Sequence, residues 1–587
     1  MKRFLVTILT IILSSLEGSS SLQGKIQLRL LFALVAFVSS SFFILHSTAC
    51  TNLIVGKKAS VDGSVIVSYN ADSYGMYGTM HRHVGGKHAA GEKRKIYEWD
   101  TNKYLGEIPE AAVTYNVVGQ MNENQVTVTE TTFGGREELV DSTGLIDYGS
   151  LIYIALERAT SARNAIKIMT DLVAKYGYYS EGESFTVADK NEAWILEMVG
   201  KGAGSKGAVW VAVRIPDDCI SAHANQSRIT RFNMKDKKNV MFSKDVVKFA
   251  REKGFFSGKD SEFSFRDAYN PLDFGGIRYC DARVWSFFNT YADADMSQYI
   301  PYINGEDKNG EMPLYLKPKR LMSVQDVQNG MRDHYEGTVF DIRNDLGAGA
   351  YEMPYRPSPL SKKVDGKEYF NERPISTQQT GFSFVGQMRA SLPDAIGGVV
   401  WWTNDDANMA AYTPIYCSVS EVPQCYLRQV DVQDEITFSW KSAFWLENTV
   451  SNIVYPYYSK MYPDLRAALD ELESYYKQQQ TAVEKEAMAF YEQNNDRTKS
   501  FFEHKNDKAV ALLTKYSLDA ADRMMNRWQQ LFQFLVVKHN DMVLKETKDG
   551  KFTRSKYGYG GRVIRPGYSE DYWKKVIRET KDRYLSK

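Results

Sequence analysis

Apolar positions follow three regimes along this chain. Residues 30 to 45, "LLFALVAFVSSSFFIL", are almost continuously apolar, with Lys25 and Arg29 before them and Ser47-Thr48-Ala49 after them. A basic start, an apolar middle and a small-residue end describe an export signal cut after Ala49. From residue 51 the apolar runs shorten. "TNLIVGKKASVDGSVIVSYN" predicts a strand, a tight turn at Asp62-Gly63 and a second strand. Residues 111–131 repeat that pattern, and residues 145–177 switch to helical spacing, with Leu151, Ile154, Ala155 and Arg158 in register, enough for two helices. Strand patterns return at 182–200 and 207–225, residues 250–390 are rich in loops, and 395–450 are strand-like and rich in Trp. In the third regime, Pro463 to about Leu544, the apolar spacing predicts long amphipathic helices.

Strands, then helices, then strands imply layered sheets with helices packed outside. The expected organisation is a leader over 1–49, a single large catalytic domain over 50–460 and a mainly helical region over 461–587 packed on it. An earlier apolar stretch, "FLVTILTIIL", precedes the signal. It is read as upstream of the true start, with a second hydrophobic anchor as the alternative. A leader that stays attached as a membrane anchor is the other alternative; without it, no stable membrane insertion is expected after cleavage.

Composition narrows the partners. The chain has 587 residues and a formal net charge of +1, without a basic run carrying interleaved aromatics, so nucleic acid is excluded as a partner. A homo-oligomer is left open. Export puts the five cysteines in an oxidising compartment. Cys417 and Cys425 are the favoured disulfide pair if one forms, but buried free thiols at Cys219, Cys280, Cys417 and Cys425 are the preferred reading.

The familiar hydrolytic signatures are missing: there is no Gly-x-Ser-x-Gly, no His-Glu-x-x-His and no phosphate-binding Gly-rich loop with Lys. His81 and His83 alternate near His88, yet no carboxylate or cysteine completes a metal set, so a surface strand is the reading. Cys50 remains. Cleavage after Ala49 leaves it with a free α-amino group, which titrates near ~8 and serves as a base at neutral pH. Nucleophile and base then reside on one residue, and no histidine is required.

At these residues the chain resembles a known family. "CTNLIVGKKASVDGSVIVSYNADS" is similar to the mature N-terminus of the cysteine-type dipeptidases related to dipeptidase A and the secernins, among the N-terminal-nucleophile hydrolases. The resemblance continues in order through "QMNENQVTVTETTFGGRE", "LIDYGSLIYIALERATSAR", "SAHANQSRI", "RYCDARVW" and "FSWKSAFWLENTVSN", covering most of residues 50–580. It implies an α+β fold, a four-layered αββα sandwich with additional C-terminal helices, and hydrolysis of dipeptides without metal or organic cofactor. It implies roles too: Cys50 as nucleophile, Asp72 orienting the amino group, Asn225 as oxyanion donor, and Arg283 as a positive charge favouring the thiolate. In the related acylases an arginine stands three residues before the aspartate; here that position is Tyr69. Asn122 is a second oxyanion candidate or a plain turn residue, and Glu130 and Thr131 are pocket-lining candidates rather than catalysts.

The expectation is therefore an exported, periplasmic or cell-surface cysteine dipeptidase acting through a thioester acyl-enzyme. Two alternatives stand: an N-acyl amide hydrolase, and a lipid-anchored non-catalytic protein in which Cys50 carries the lipid.

Overall fold

Period-two and period-3.6 patterns segregate cleanly in the computed structural model, which describes residues 50–307, 310–357, 361–493 and 508–586. The leader expected over 1–49 lies outside them. The elements that build the site are β1 (Asn52–Val55), β2 (Val65–Asp72), β3 (Thr127–Gly134), α1 (Tyr148–Arg158), α2 (Ala162–Tyr176), β4 (Gly182–Ala188), β5 (Ala193–Gly200), β6 (Ala208–Ile215), β7 (Ile220–His223), α3 (Ala282–Tyr291), β8 (Thr380–Met388), β9 (Gly398–Asn404) and β10 (Thr413–Tyr416). Three longer helices follow: α4 (Ala443–Val454), α5 (Tyr458–Gln493) and α6 (Lys508–His539).

The class is α+β, with two large antiparallel sheets. One runs β7-β1-β2-β8-β9-β10, with the short strand Tyr315–Leu316 outside β7. The other contains β6-β5-β4-β3, extended by Val240–Phe242 beyond β6 and by Met121–Asn122, Val117–Val118 and Arg82–His83 beyond β3. Alternation along β5 shows how the second sheet is used. Trp194, Leu196 and Met198 enter a core shared with Ile154, Ile166 and Met169 of α1 and α2, whereas Ala193, Ile195 and Val199 join the core of the first sheet. Helix α2 forms because Ala165, Ile166, Met169, Leu172 and Val173 repeat at helical spacing; the Ser161 side chain caps its start and Gly177, at φ 82°, ends it.

Three expectations change in detail. The β1–β2 connection spans residues 56–64 and is not a two-residue turn at Asp62-Gly63. Backbone bonds from Lys58 and Ala59 to Asp217 O, and from Val61 to Met322 O, tie this loop to neighbouring segments. The final helices start earlier than Pro463, at Tyr458, because burial of Tyr458, Met461 and Leu465 extends the apolar face through the proline. The strand-like stretch 395–450 also ends in helix α4, capped by Ser442. Helix α5 is tied to the segments beside the first sheet by buried pairs, from Arg332 Nη2 in the turn after the helix Val324–Gly330 to Glu473 Oε1 at 2.5 Å, and from Arg389 Nη2 just after β8 to Glu484 Oε1 at 2.7 Å. Among the described residues, no helix is long and apolar enough to cross a membrane.

Candidate active site

Strand β3 pairs with the Met121–Asn122 strand at Thr127 alone, so one edge beyond that residue is left without a strand partner. Side-chain amides fill it. Asn52 Nδ2 donates to Glu130 O at 2.6 Å, and Asn225 Nδ2 donates to Thr132 O at 2.7 Å. Asn52 opens β1, so its bond carries Cys50, two residues earlier, to the same edge. Thr51 exchanges backbone bonds with Asn70 of β2, which brings Tyr69 and Asp72 alongside.

Cys50 is buried. Its Sγ lies 3.4 Å from Glu130 Oε1 and 3.8 Å from Tyr69 Oη, and Tyr69 Oη also donates to Glu130 Oε1 in a very short bond. Burial pushes the thiol well above its ordinary range, and the negative charges of Glu130 and Asp72 push it further; the backbone N–H of Asp72 and the Tyr69 hydroxyl work the other way by hydrogen bonding to sulfur.

Arg283 is fully buried and links the remaining parts. Its Nη1 donates to Cys50 O and to Thr51 Oγ1, each at 2.7 Å, and its Nη2 donates to Asn225 Oδ1 at 2.9 Å. Its Nε reaches back 2.7 Å to Tyr279 O, inside the π-helical turn Gly276–Asp281 that leads into α3. Such wide turns recur where a helix must aim a side chain at a functional site. Asn225 sits just after β7 at φ 57°, a left-handed conformation that asparagine tolerates better than most residues. Asp72 ends β2; its Oδ2 accepts from Arg373 Nη2 at 2.8 Å and its Oδ1 from Thr380 Oγ1 at 2.6 Å. Burial still holds its carboxyl above the usual range despite Arg373.

Cys50, Asn225 and Arg283 are thus in one bonded network, with Asp72 beside the thiol. One detail departs from expectation. The Arg283 guanidinium grips the Cys50 carbonyl, the Thr51 hydroxyl and the Asn225 amide, so it orients Cys50 through its backbone. Asn122 lies elsewhere: its Nδ2 donates to Leu156 O and Ala159 O at the end of α1, and its Oδ1 closes its own turn. Thr131 turns away from the thiol to His223 Nδ1, at 2.7 Å. His81 stacks on Tyr153, while His83 and His88 both contact Thr114. All five cysteines are free thiols, including Cys417 and Cys425. Sequence reasoning missed Arg373 as a partner of Asp72 and undervalued Glu130. Glu130 carried a usable signal, a lone carboxylate in the strand "TVTETT"; Arg373 carried none.

Comparison with known proteins agrees with this picture. The profile of peptidase family C69 matches residues 49–104 and 87–471. A probable dipeptidase of Latilactobacillus sakei is 28% identical over 428 residues, covering 70% of this chain and 82% of that protein. A probable dipeptidase of Salmonella dublin is 31% identical over 392 residues (63% and 81%), and dipeptidase A of Lactobacillus helveticus is 24% identical over 448 (73% and 86%). With its cysteine, carboxylates and arginine gathered at the open edge of β3 and a family match across most of its length, this chain belongs to peptidase family C69.

Proposed function

We propose that this protein is an exported dipeptidase in which removal of residues 1–49 makes Cys50 the N-terminal nucleophile. The observation that carries the reading is the environment of Cys50 Sγ, a buried thiol met by the Asp72 N–H and Tyr69 hydroxyl while Arg283 holds the carbonyl of the same residue. Nothing in that environment deprotonates the thiol while Cys50 is joined to a preceding residue, because burial and two carboxylates oppose the charge. Cleavage supplies what is missing. The new α-amine takes the Sγ proton, and the resulting ammonium sits beside Asp72, which holds it in place.

In this mechanism the thiolate adds to the scissile carbonyl, and the oxyanion is stabilised by the Asn225 amide, a donor of a kind worth roughly 3 kcal/mol. The ammonium hands its proton to the departing amine, leaving a thioester on Cys50. A water deprotonated by the same amine then hydrolyses it. Arg283 keeps Cys50 and Asn225 in mutual register throughout. We read the two facing sheets, with α1 and α2 outside one and α3 to α6 on the other, as the four-layered αββα arrangement of N-terminal-nucleophile hydrolases.

Mass spectrometry of the N-terminal peptide from protein made in an exporting host tests the first step; a free Cys50 is expected. A panel of dipeptides and N-acyl amides tests the second. Cys50→Ala should lower dipeptide turnover at least ~10⁴-fold without loss of fold, in line with removal of other catalytic nucleophiles. A lipid-modified Cys50, or full turnover by Cys50→Ala, would refute the proposal.

A further inference from the structure

The site holds a second pair of carboxyls that the catalytic cycle does not use. Glu130 and Glu183 stand on adjacent strands, β3 and β4, and each is about 1% exposed. Thr132 is the cross-strand partner of Glu183, and Thr132 Oγ1 donates to Glu183 Oε1 at 2.7 Å. Glu130 Oε1 accepts from Tyr69 and faces Cys50 Sγ, while Oε2 of Glu130 and Oε2 of Glu183 accept from no other described residue, the two carboxyls hydrogen-bonding only to each other there. No lysine, arginine or histidine among the described residues forms an ion pair with either. Burying two carboxyls without a cation is costly, and native structures pair such groups or reserve them for a ligand.

We propose that Glu130, backed by Glu183, binds the free α-ammonium of the substrate and so selects peptides with an unblocked N-terminus. This rests on the dipeptidase reading above. The distances fit. An attacked carbonyl carbon sits roughly 3–3.5 Å from the nucleophile. In an α-amino acyl group the nitrogen is two bonds from that carbon, about 2.5 Å away. A charge-assisted N–H···O bond adds about 2.8 Å. A carboxylate oxygen 3.4 Å from Sγ is therefore within reach of the first residue's ammonium when its carbonyl carbon stands at the thiol.

Before substrate arrives, the pair is satisfied by a proton. Burial holds both carboxyls above the ordinary range, and the charge of Glu130 pushes Glu183 further up. An ammonium does the same electrostatic work as that proton and displaces it to solvent. An N-acyl substrate brings a neutral amide to the same place and leaves the carboxyls uncompensated. Sites built around a buried polar partner reject analogues that lack it by ~10⁴-fold or more.

The test compares Ala-Leu with N-acetyl-Ala-Leu on the mature enzyme. Wild type should favour the free dipeptide at least ~100-fold in kcat/KM. Glu130→Gln should erase most of that preference, lowering kcat/KM for Ala-Leu, chiefly through KM, by about 100-fold more than for the acetylated substrate. A wild-type measurement stands should that variant fold poorly: KM for Ala-Leu should rise on acidification as protons compete for the pair, and KM for the acetylated form should not. Equal use of both substrates, an equal loss on both in Glu130→Gln, or parallel pH profiles would overturn the ammonium site while leaving a dipeptidase. Turnover of N-acyl amides with none of any dipeptide would overturn the dipeptidase reading itself, and this inference with it.

Discussion

Two buried carboxylates flank the Cys50 thiol, and they are treated in opposite ways. Asp72 has a full complement of partners within the fold: a guanidinium from Arg373 and a hydroxyl from Thr380. Glu130 has a tyrosine, a thiol and another carboxyl. Both side chains are essentially inaccessible, so burial alone does not distinguish them. The difference lies in whether a cation comes with the chain. Asp72 is a fixed charge of the fold, suited to holding a neighbouring group in place. Glu130 is left short of one positive charge, as suits a residue that receives it from a ligand. A buried acid is thus informative mainly through what stands opposite it.

The strongest way to break this contrast is to remove the cation from the compensated side. Arg373→Met keeps an unbranched apolar stem and strips Asp72 of its ion pair. Removing one partner of a buried pair costs ~3–5 kcal/mol, because the other charge is left stranded. A loss of that size is expected in urea unfolding of Arg373→Met, and Asp72→Asn added to it should restore most of the loss. If Arg373→Met unfolds within ~1 kcal/mol of wild type, Asp72 is not held by its pair and the two acids are alike.

The same contrast marks what was legible in the sequence. The place of Cys50 was, because it stands between an apolar run and the first strand pattern, and so was the choice of Asp72, Asn225 and Arg283 as residues to look for near it, through short motifs around each. The strand and helix patterns of residues 51–225 were also legible, since alternation and 3.6-residue spacing are properties of neighbouring residues. Arg373 was not: it lies 301 residues from Asp72, in a segment with no regular pattern, and only the packed sheets bring them together. Tyr69 looked like a lost arginine until its hydroxyl was seen on Glu130. The β1–β2 loop misled for a related reason, because Asp62-Gly63 has the residues of a tight turn while contacts to Asp217 and Met322 decide its course.

A third buried carboxylate, outside the site, sharpens the comparison at a smaller scale. Glu123 accepts from Asn116 N at 3.4 Å, and its Oε2 has no partner. Burial pushes its carboxyl up from 4.5 to about 8, with Arg82 drawing it only partly back. A raised folded-state value means the native protein holds the proton more tightly than the unfolded chain. Its contribution to stability is present below pH 4.5 and is lost as pH climbs towards about 8. Glu123→Gln should therefore match wild type at pH 4 and exceed it by roughly 5 kcal/mol at pH 8.5, at ~1.4 kcal/mol per pKa unit. A constant difference between the two proteins across that range would mean Glu123 is ionised in the fold at neutral pH, and that an unpaired buried acid needs no ligand to be tolerated.

Asn122 gives the smallest and most selective test, because it separates support from chemistry in two asparagines, Asn225 assigned as oxyanion donor by resemblance and Asn122 a second candidate or a plain turn residue. Asn225 bonds to Arg283, which in turn holds Cys50. Asn122 bonds to the last carbonyls of α1, which helix geometry leaves without partners of their own. Deleting its amide strands Leu156 O and Ala159 O in a buried place, at a cost of about 2 kcal/mol. Asn122→Ala should lower the unfolding free energy by that amount and leave kcat for dipeptides unchanged. Asn225→Ala frees Thr132 O and the Arg283 guanidinium at a similar cost in stability, but it should also reduce kcat by ~10²-fold or more. A fall in kcat without a fall in stability for Asn122→Ala would move the oxyanion contact to the turn before β3. The bonded path from Arg283 to Asn225 would then serve only to pack β7 against the open edge of that strand.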